Sequence, residues 1–229
     1  MTEEGLRTRV REGLTAVRAR VEAACTAAGR DSGSVRLVAV GKVHPPGALR
    51  AAYAEGQRDF GENYVQELLT KAGALADLPD LRWRFIGHLQ RNKAKDVVRL
   101  GAAVETLDSE RLAEALDRRA GQEGTRMEVL LQVNLGGEAQ KSGCEPDRLD
   151  ALVARVRTLD ALDLRGLMTV PPHTDDPEGA RPYFRRLRER AEAHGLPELS
   201  MGMTHDLEVA IEEGATIVRV GTAIFGARR

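Results

Sequence analysis

Cysteine is scarce in this 229-residue sequence, which has one thiol at position 25 and one at position 144. Two thiols so far apart indicate no disulfide scaffold, so we interpret Cys25 and Cys144 as ordinary small side chains. The five histidines show neither HxH nor HExxH spacing. The sequence therefore predicts no metal site.

An excess of positive charge is also missing, since 34 lysines and arginines face 35 acidic residues and the formal net charge is -1. This balance removes the basic footprint that nucleic-acid binding requires. Long apolar runs are absent as well, and the N-terminus is acidic and amphipathic, so we expect neither a signal peptide nor a membrane span. These absences predict a cytoplasmic protein that binds neither nucleic acid nor membrane.

The rest of the composition is typical of a globular protein. With 42% hydrophobic residues and no linker, residues 1–229 are expected to form one domain. Apolar residues at steps of three and four predict a helix over residues 3–28. Eight strands are predicted after it, at residues 35–40, 58–60, 82–86, 103–106, 127–134, 162–168, 199–201 and 216–220. Helices are predicted between and after them, at residues 45–55, 64–75, 89–100, 109–120, 147–158, 178–194 and 206–213.

This alternation of strands and helices implies parallel pairing through right-handed crossovers. Eight such units in a chain close to the usual ~250 residues favour a (β/α)8 barrel of the TIM type with an extra N-terminal helix. A doubly wound open sheet is the alternative, because short strands are individually weak signals. In a barrel, the loops that follow the strands build the active site.

The first predicted strand ends on a charged residue. Residues 35–46 read VRLVAVGKVHPP, an apolar run that stops at Gly41 and Lys42. One interpretation is a lysine that extends its ammonium into water at a strand end. The other is an amine at the mouth of a barrel, where partial desolvation makes it a nucleophile towards an aldehyde.

Small and hydroxyl-bearing residues follow the seventh and eighth predicted strands, where barrels commonly bind phosphate. These loops read SMGMTHD at residues 200–206 and RVGT at residues 219–222. Glycines let N–H groups approach an anion, hydroxyls donate to it, and a helix N-terminus adds a favourable dipole. Capping of helices and turns would explain one such loop, but two at the expected positions favour a phosphate. The predicted ligands are Ser200, Thr204, Gly221 and Thr222.

A phosphate beside strands seven and eight and a reactive amine on strand one suggest a single ligand that spans both. Pyridoxal 5'-phosphate (PLP) has that shape, and its aldehyde forms a Schiff base with lysine while an acidic or arginine side chain faces the pyridine nitrogen. Arg219 could do this, unless strand alternation points it outward as a surface arginine. A sugar phosphate with Lys42 as an aldolase-type amine is another interpretation.

Several segments together resemble the pyridoxal phosphate homeostasis protein family, also called YggS/PROSC, whose fold resembles the barrel domain of alanine racemase. They are GKxxP at residues 41–45, FGENYVQE at 60–67, FIGHLQxNK at 85–93, KSG at 141–143, GLM at 166–168, SMGM at 200–203 and VRVGTAIFGAR at 218–228. The resemblance implies that Lys42 holds PLP as a Schiff base and that Arg219 faces the pyridine nitrogen. It also implies that residues 200–204, with Gly221 and Thr222, hold the phosphate. Thr204 replaces the usual serine and keeps the hydroxyl.

Other residues keep two interpretations each. Asn63 could reach the cofactor ring or cap the next helix. Lys141 could be an exposed loop lysine or a second amine for the aldehyde. Gln90, Asn92 and Lys93 could begin a solvated helix or be recognised by a partner, and the roles of His44 and His205 stay open. The predicted cofactor-binding residues are Lys42, Asn63, Ser200, Met201, Thr204, Arg219, Gly221 and Thr222.

The sequence thus predicts a non-catalytic, monomeric PLP carrier that helps to control the free PLP concentration and that passes PLP to apo-enzymes. A PLP-dependent racemase-like enzyme is the alternative. Racemisation needs acid–base groups on both faces of the adduct, and the related racemases take one of them from an additional β-domain. Since the sequence ends seven residues after Thr222, we expect no such domain.

Overall fold

The chain forms a closed barrel of eight parallel strands that follow one another in chain order. This computed structural model describes residues 2–138 and 142–227. The barrel closes where β1 pairs with β8, with Arg36 opposite Ile217 and Ala39 opposite Val220. Closure, together with a helix before β1, confirms the predicted (β/α)8 architecture and excludes the open sheet.

The strands lie close to their predicted positions. They are β1 Arg36–Val40, β2 Asp59–Glu62, β3 Arg82–Phe85, β4 Ala103–Leu107, β5 Met127–Gln132, β6 Leu162–Met168, β7 Glu198–Ser200 and β8 Ile217–Val220. The helices are α1 Glu3–Ala27, α2 Pro46–Ala54, α3 Val65–Ala74, α4 Ala94–Leu100, α5 Glu110–Gln122, α6 Leu149–Val156, α7 Arg181–Ala193, α8 Leu207–Glu212 and α9 Thr222–Phe225.

Helix α1 joins the first and last parts of the barrel wall, because it packs on α2, α8 and α9. Thr2 caps α1 by accepting from the Gly5 N–H at 3.2 Å, and the predicted apolar stripe of α1 is buried. At Gly13, α1 and α9 touch so closely that a Cβ on Gly13 would lie 2.6 Å from the Ala223 carbonyl oxygen of α9. Helix α1 therefore fixes the position of α9.

The barrel interior contains an apolar cluster and a charged network. Val38, Leu130, Met168 and Ile217 come from four different strands and contact one another, which is possible only across the interior. The charged network links Arg84, Glu105, Ser200 and Arg219, all of them buried. Because buried charges are costly unless paired and hydrogen-bonded, this network must be connected throughout to be tolerated.

Several segments differ from the prediction. The helix predicted over residues 89–100 starts with a 3-10 turn, Arg91–Lys93, before α4. The helices predicted over residues 147–158 and 178–194 likewise start with 3-10 turns, Pro146–Arg148 and Pro177–Ala180. The strand predicted over residues 127–134 ends at Gln132, after which Val133 forms one isolated bridge with Cys144. Helix α9 was not predicted, because four residues are too few to show a helical period. In the described part of the chain, no helix is long and apolar enough to cross a membrane.

Candidate functional site

A cavity of about 350 Å³ opens at the carboxyl ends of the strands. Its polar lining includes six of the eight predicted cofactor-binding residues: Lys42, Asn63, Thr204, Arg219, Gly221 and Thr222. Its apolar lining is Val40, Ile86, Met168, Val170 and Met203. An amine, a guanidinium, an amide and two hydroxyls therefore face one mostly apolar space, as expected of a site for a small polar ligand.

The loop that carries Lys42 has an unusual backbone. Gly41 extends the sheet beyond β1 by donating to the Gly61 carbonyl at 2.9 Å, and the His44 N–H closes a turn onto the Gly41 carbonyl at 3.0 Å. Between them, Val43 has φ of 62°, a left-handed conformation that a β-branched residue rarely adopts. Lys42, half-buried, lies at the cavity mouth between the end of the strand and this turn.

Behind this loop lies a group of three charged residues, Lys71, Glu62 and Glu67, which we call the Lys71 cluster. The Lys71 ammonium donates to Glu62 at 2.8 Å, to Glu67 at 2.8 Å and to the Gly41 carbonyl at 2.7 Å. Glu67 also accepts from the Val43 N–H at 2.8 Å. The cluster was not predicted from the sequence, although Glu67 and Lys71 are spaced i, i+4 on one helix, where such pairs meet.

Burial and pairing act in opposite directions on the two carboxyls of the cluster. Burial raises the pKa of Glu62 to about 7, and the Lys71 ammonium only partly opposes this rise. Burial also works to raise the pKa of Glu67, but hydrogen bonds from Lys71 and from the Val43 N–H outweigh it and hold the pKa below its usual range. Glu62 is therefore the carboxyl of the cluster that changes charge near neutral pH.

Arg219 projects inward from β8 and forms part of the cavity wall. Arg219 is 4% exposed, and its guanidinium donates to the Ser200 hydroxyl at 2.5 Å and to the Thr169 carbonyl at 2.9 Å. Burial lowers the pKa of Arg219 from its ordinary value, while Glu105 and Asp206 act in the opposite direction. The group stays charged, because an arginine starts far above neutral pH.

Ser200 and Met201 do not line the cavity, which departs from their predicted placement with the phosphate loop. The Ser200 hydroxyl lies beneath Arg219, from which it accepts, and it donates to Glu105 at 2.5 Å. Met201 is fully buried, and its N–H continues the sheet by donating to the Ile217 carbonyl at 3.1 Å. The physical reason is strand alternation, which turns Ser200 into the barrel interior at the last position of β7.

The loop after β7 is held in place at several points. Gly202 has φ of 91° and lies so close to α8 that a Cβ would be 2.5 Å from that of Ala210. The Met203 N–H donates to Asp206 at 2.7 Å, and Arg20 on α1 donates to the Thr204 carbonyl at 2.9 Å. These contacts leave Thr204 directed at the cavity.

The loop after β8 is short and leads at once into α9. Gly221 packs closely against β1, since a Cβ at this position would lie 3.1 Å from the Val40 carbonyl oxygen. Thr222 is the first residue of α9, and the first N–H groups of a helix have no acceptor within that helix. Thr222, which lines the cavity, therefore has a hydroxyl and a backbone N–H that no acceptor within α9 engages.

Other predicted residues have identifiable surroundings. The amide oxygen of Asn63 is buried and has no hydrogen-bond partner within residues 2–138 and 142–227, although Asn63 lines the cavity. His205 lines the cavity and pairs with the Asp175 carbonyl at 3.1 Å. His44 packs on Phe225 with ring centres 5.1 Å apart. Lys141 lies outside the described residues.

The chain is similar to known proteins over nearly its whole length. The family model of the alanine racemase N-terminal domain matches residues 13–229. A pyridoxal phosphate homeostasis protein of Aquifex aeolicus is 46% identical over 224 residues, which are 95% of this chain and 98% of that protein. One from Pseudomonas aeruginosa is 48% identical over 221 residues, or 96% of each chain. The solved structure of PipY from Synechococcus elongatus with PLP bound has a TM-score of 0.84 and 39% identity, covering 95% of this chain and 100% of that one.

Proposed function

This chain belongs to the pyridoxal phosphate homeostasis protein family, and we propose that it binds PLP and controls the free PLP concentration without catalysing a reaction. The observation that carries the proposal is the cavity itself. It brings an amine on the loop after β1 and a guanidinium on β8 to one space, with hydroxyls on the loops after β7 and β8 beside them. These are the groups that the aldehyde, the ring nitrogen and the phosphate of PLP each require.

In this proposal Lys42 supplies the amine. When bound, PLP contributes an aldehyde carbon with which the Lys42 nitrogen forms a Schiff base, releasing water. The apolar residues of the lining exclude water from the ring, and Asn63 offers a buried amide oxygen that still lacks a donor among the described residues. That oxygen fits a polar ligand, because a buried acceptor without a partner is costly.

The phosphate would be held by Thr204, Gly221 and Thr222. Two hydroxyls and the backbone donor of Thr222 can each give a hydrogen bond to a charged oxygen, and Gly221 permits a close approach. Ser200 has a different part, because its hydroxyl is occupied by Arg219 and Glu105. It supports the guanidinium from below, while Met201 contributes only to the sheet.

Arg219 favours a carrier over an enzyme. A carboxylate beside the pyridine nitrogen would keep that nitrogen protonated, whereas a charged guanidinium disfavours the proton by like-charge repulsion. The ring then withdraws electrons weakly from a bound amino acid. In addition, the described lining of the cavity holds two titratable side chains besides Arg219, namely Lys42 and His205. His205 is exposed and pairs with the Asp175 carbonyl. These features support binding rather than acid–base work on both faces of an adduct.

We extend the proposal to apo PLP-enzymes as the recipients of the cofactor, to a monomeric state in the cytoplasm, and to a single domain. The pairing of β1 with β8 supports the single domain, because strands from both ends of the sequence are needed to close the barrel. Light scattering of the purified protein tests the monomer. Mixing the PLP-loaded protein with an apo-transaminase and following recovery of transaminase activity tests the transfer.

The deciding experiment has two parts. First, PLP is added to the apo-protein, the near-visible absorption is recorded, and borohydride reduction followed by peptide mass analysis locates the pyridoxyl label, which should be on Lys42. Second, the loaded protein is incubated with each common amino acid in deuterated water. Little or no α-proton exchange is expected. A label elsewhere refutes the role of Lys42, and rapid exchange that Lys42→Ala abolishes shows a racemase-like enzyme instead.

A further inference from the structure

The strained residue next to Lys42 needs an external support. Val43 is exposed, so its own side chain contributes little packing that could hold φ at 62°. A left-handed β-branched residue costs free energy and persists only where surrounding contacts fix it. The contacts that fix Val43 also decide the direction of the preceding side chain, which is Lys42.

Besides the turn that the His44 N–H closes onto the Gly41 carbonyl, the Lys71 cluster supplies two of these contacts. On one side of Lys42, the Gly41 carbonyl accepts from the Lys71 ammonium at 2.7 Å. On the other side, the Val43 N–H donates to Glu67 at 2.8 Å. The peptide groups that flank Lys42 are thus both bound by residues that are bonded to each other.

Burial and hydrogen bonding hold the side chains of the cluster in one arrangement. Lys71 is 4% exposed and Glu62 is 0% exposed. The three hydrogens of the Lys71 ammonium have three acceptors, namely Glu62, Glu67 and the Gly41 carbonyl, so its donor capacity is used in full. Gly41 also lies against Glu62, since a Cβ there would be 2.6 Å from a carboxyl oxygen.

The cluster connects two neighbouring strand–helix units of the barrel. Glu62 ends β2, and Glu67 and Lys71 lie on α3, so all three belong to the second strand–helix unit. Their backbone contacts at Gly41 and Val43 belong to the loop of the first unit. Burial raises the pKa of Glu62, Lys71 opposes this rise, and the charge of Lys42 adds a smaller opposing effect.

We propose that Lys71 and Glu67 are positioning residues for Lys42, which hold the peptide groups on both sides of it and so direct its amine into the cavity. The inference rests on the proposed function in one respect, which is that the aldehyde that meets Lys42 is that of PLP. The positioning itself is a property of the apo-protein and is tested there.

The main variant is Glu67→Ala, which removes the acceptor of the Val43 N–H. Glu67 is on a helix and partly exposed, and alanine favours helices, so the protein should fold. The matched control is Glu114→Ala on α5, which also removes a helical glutamate from an arginine or lysine pair, here with Arg155, far from the cavity. Circular dichroism verifies that both variants are folded.

Two measurements on the apo-proteins decide the question. Amide hydrogen exchange of a peptide that contains Val43 should become about tenfold faster in Glu67→Ala, as loss of a hydrogen bond predicts. Competitive acetylation of lysines from pH 6 to 10, read by peptide mass analysis, should move the Lys42 profile towards those of the exposed lysines Lys93 and Lys95. Glu114→Ala should change neither.

Binding supplies a third readout. Because the amine is misplaced rather than the phosphate loops, Glu67→Ala should weaken PLP and unphosphorylated pyridoxal by similar factors, of about tenfold. An unchanged Lys42 acetylation profile in a folded Glu67→Ala protein overturns the positioning role, as does a change of equal size in Glu114→Ala. If wild-type protein does not bind PLP but the acetylation profile shifts as expected, the proposed function fails and the positioning role stands.

Discussion

Arg219 on β8 donates to the hydroxyl of Ser200 on β7 at 2.5 Å, and the same hydroxyl donates to Glu105 on β4 at 2.5 Å. A neutral side chain thus connects a buried cation with a buried anion. Because the hydrogen and one lone pair of this fully buried hydroxyl are engaged in the barrel interior, Ser200 acts on the cavity through the guanidinium above it.

Replacement of Ser200 by alanine tests this connection. Ser200→Ala leaves Arg219 and Glu105 each without one buried partner, which should lower the free energy of unfolding by about 1–3 kcal/mol. Urea denaturation measures this loss. Affinity for PLP and for unphosphorylated pyridoxal should fall by similar factors, since the ring side of the site is affected. A loss confined to PLP would instead show that Ser200 binds the phosphate, as the sequence predicted.

Thr222 provides the opposite test. Thr222→Val preserves shape and removes the hydroxyl at the start of α9, and a hydrogen bond to a charged group is worth about 1.5–3 kcal/mol. PLP binding should therefore weaken roughly ten- to a hundredfold while pyridoxal binding hardly changes. Fluorescence or absorption titration with both ligands makes the comparison. Equal losses would contradict the phosphate role of Thr222.

The contact between α1 and α9 leads to a prediction about a glycine far from the ligand. A Cβ at Gly13 would lie 2.6 Å from the Ala223 carbonyl, so Gly13→Ala must push α9 away. We expect a loss of about 1–3 kcal/mol in the free energy of unfolding and weaker PLP binding, because Thr222 moves with α9. Gly121→Ala on α5 is the control. Its Cβ would meet nothing within 4 Å, so it should leave binding unchanged and stabilise the helix slightly.

Glu62 predicts a pH dependence of stability with a definite sign. Its pKa is about 7 in the folded chain and 4.5 ordinarily, so the folded state binds this proton more tightly. The contribution of Glu62 to stability is then fully present below pH 4.5 and is lost as the pH rises through 7. With about 1.4 kcal/mol per pKa unit, the rise from 4.5 to about 7 corresponds to a loss of roughly 3–4 kcal/mol over the whole range, of which about 2–3 kcal/mol falls between pH 5 and pH 8.

The variant Glu62→Gln isolates this effect from the other titrating groups. Between pH 5 and pH 8, the stability of wild-type protein relative to Glu62→Gln should fall by that amount in urea denaturation. A constant difference across this range would mean that Glu62 does not titrate there. It would be the result if Lys71 kept Glu62 charged throughout the range.

The sequence allowed the barrel to be predicted because its signals are local. Each strand is a short apolar run between turns, and each helix shows its own period, so the eight units could be counted without any contact between them. Lys42 was found in the same way, as a charge at the end of an apolar run.

What the sequence did not reveal depends on relations between units. Ser200 lies in the predicted strand 199–201 and also begins the predicted phosphate loop, and only the register of β7 beside β6 shows that its side chain points into the barrel. The Lys71 cluster requires α3 to lie behind the loop after β1, a placement that no spacing within either segment encodes. Both features belong to the packing of one unit on the next.

The seam between β1 and β8 separates residues that are neighbours in space but lie near opposite ends of the chain, with Lys42 on one side and Arg219 to Thr222 on the other. During synthesis on the ribosome, the amine emerges early and must wait for the last strand before a phosphate site stands beside it. A ligand that contacts both sides also ties the first strand to the last, and its binding free energy adds to the closure of the ring. The loaded protein should consequently resist opening at this seam better than the apo-protein does.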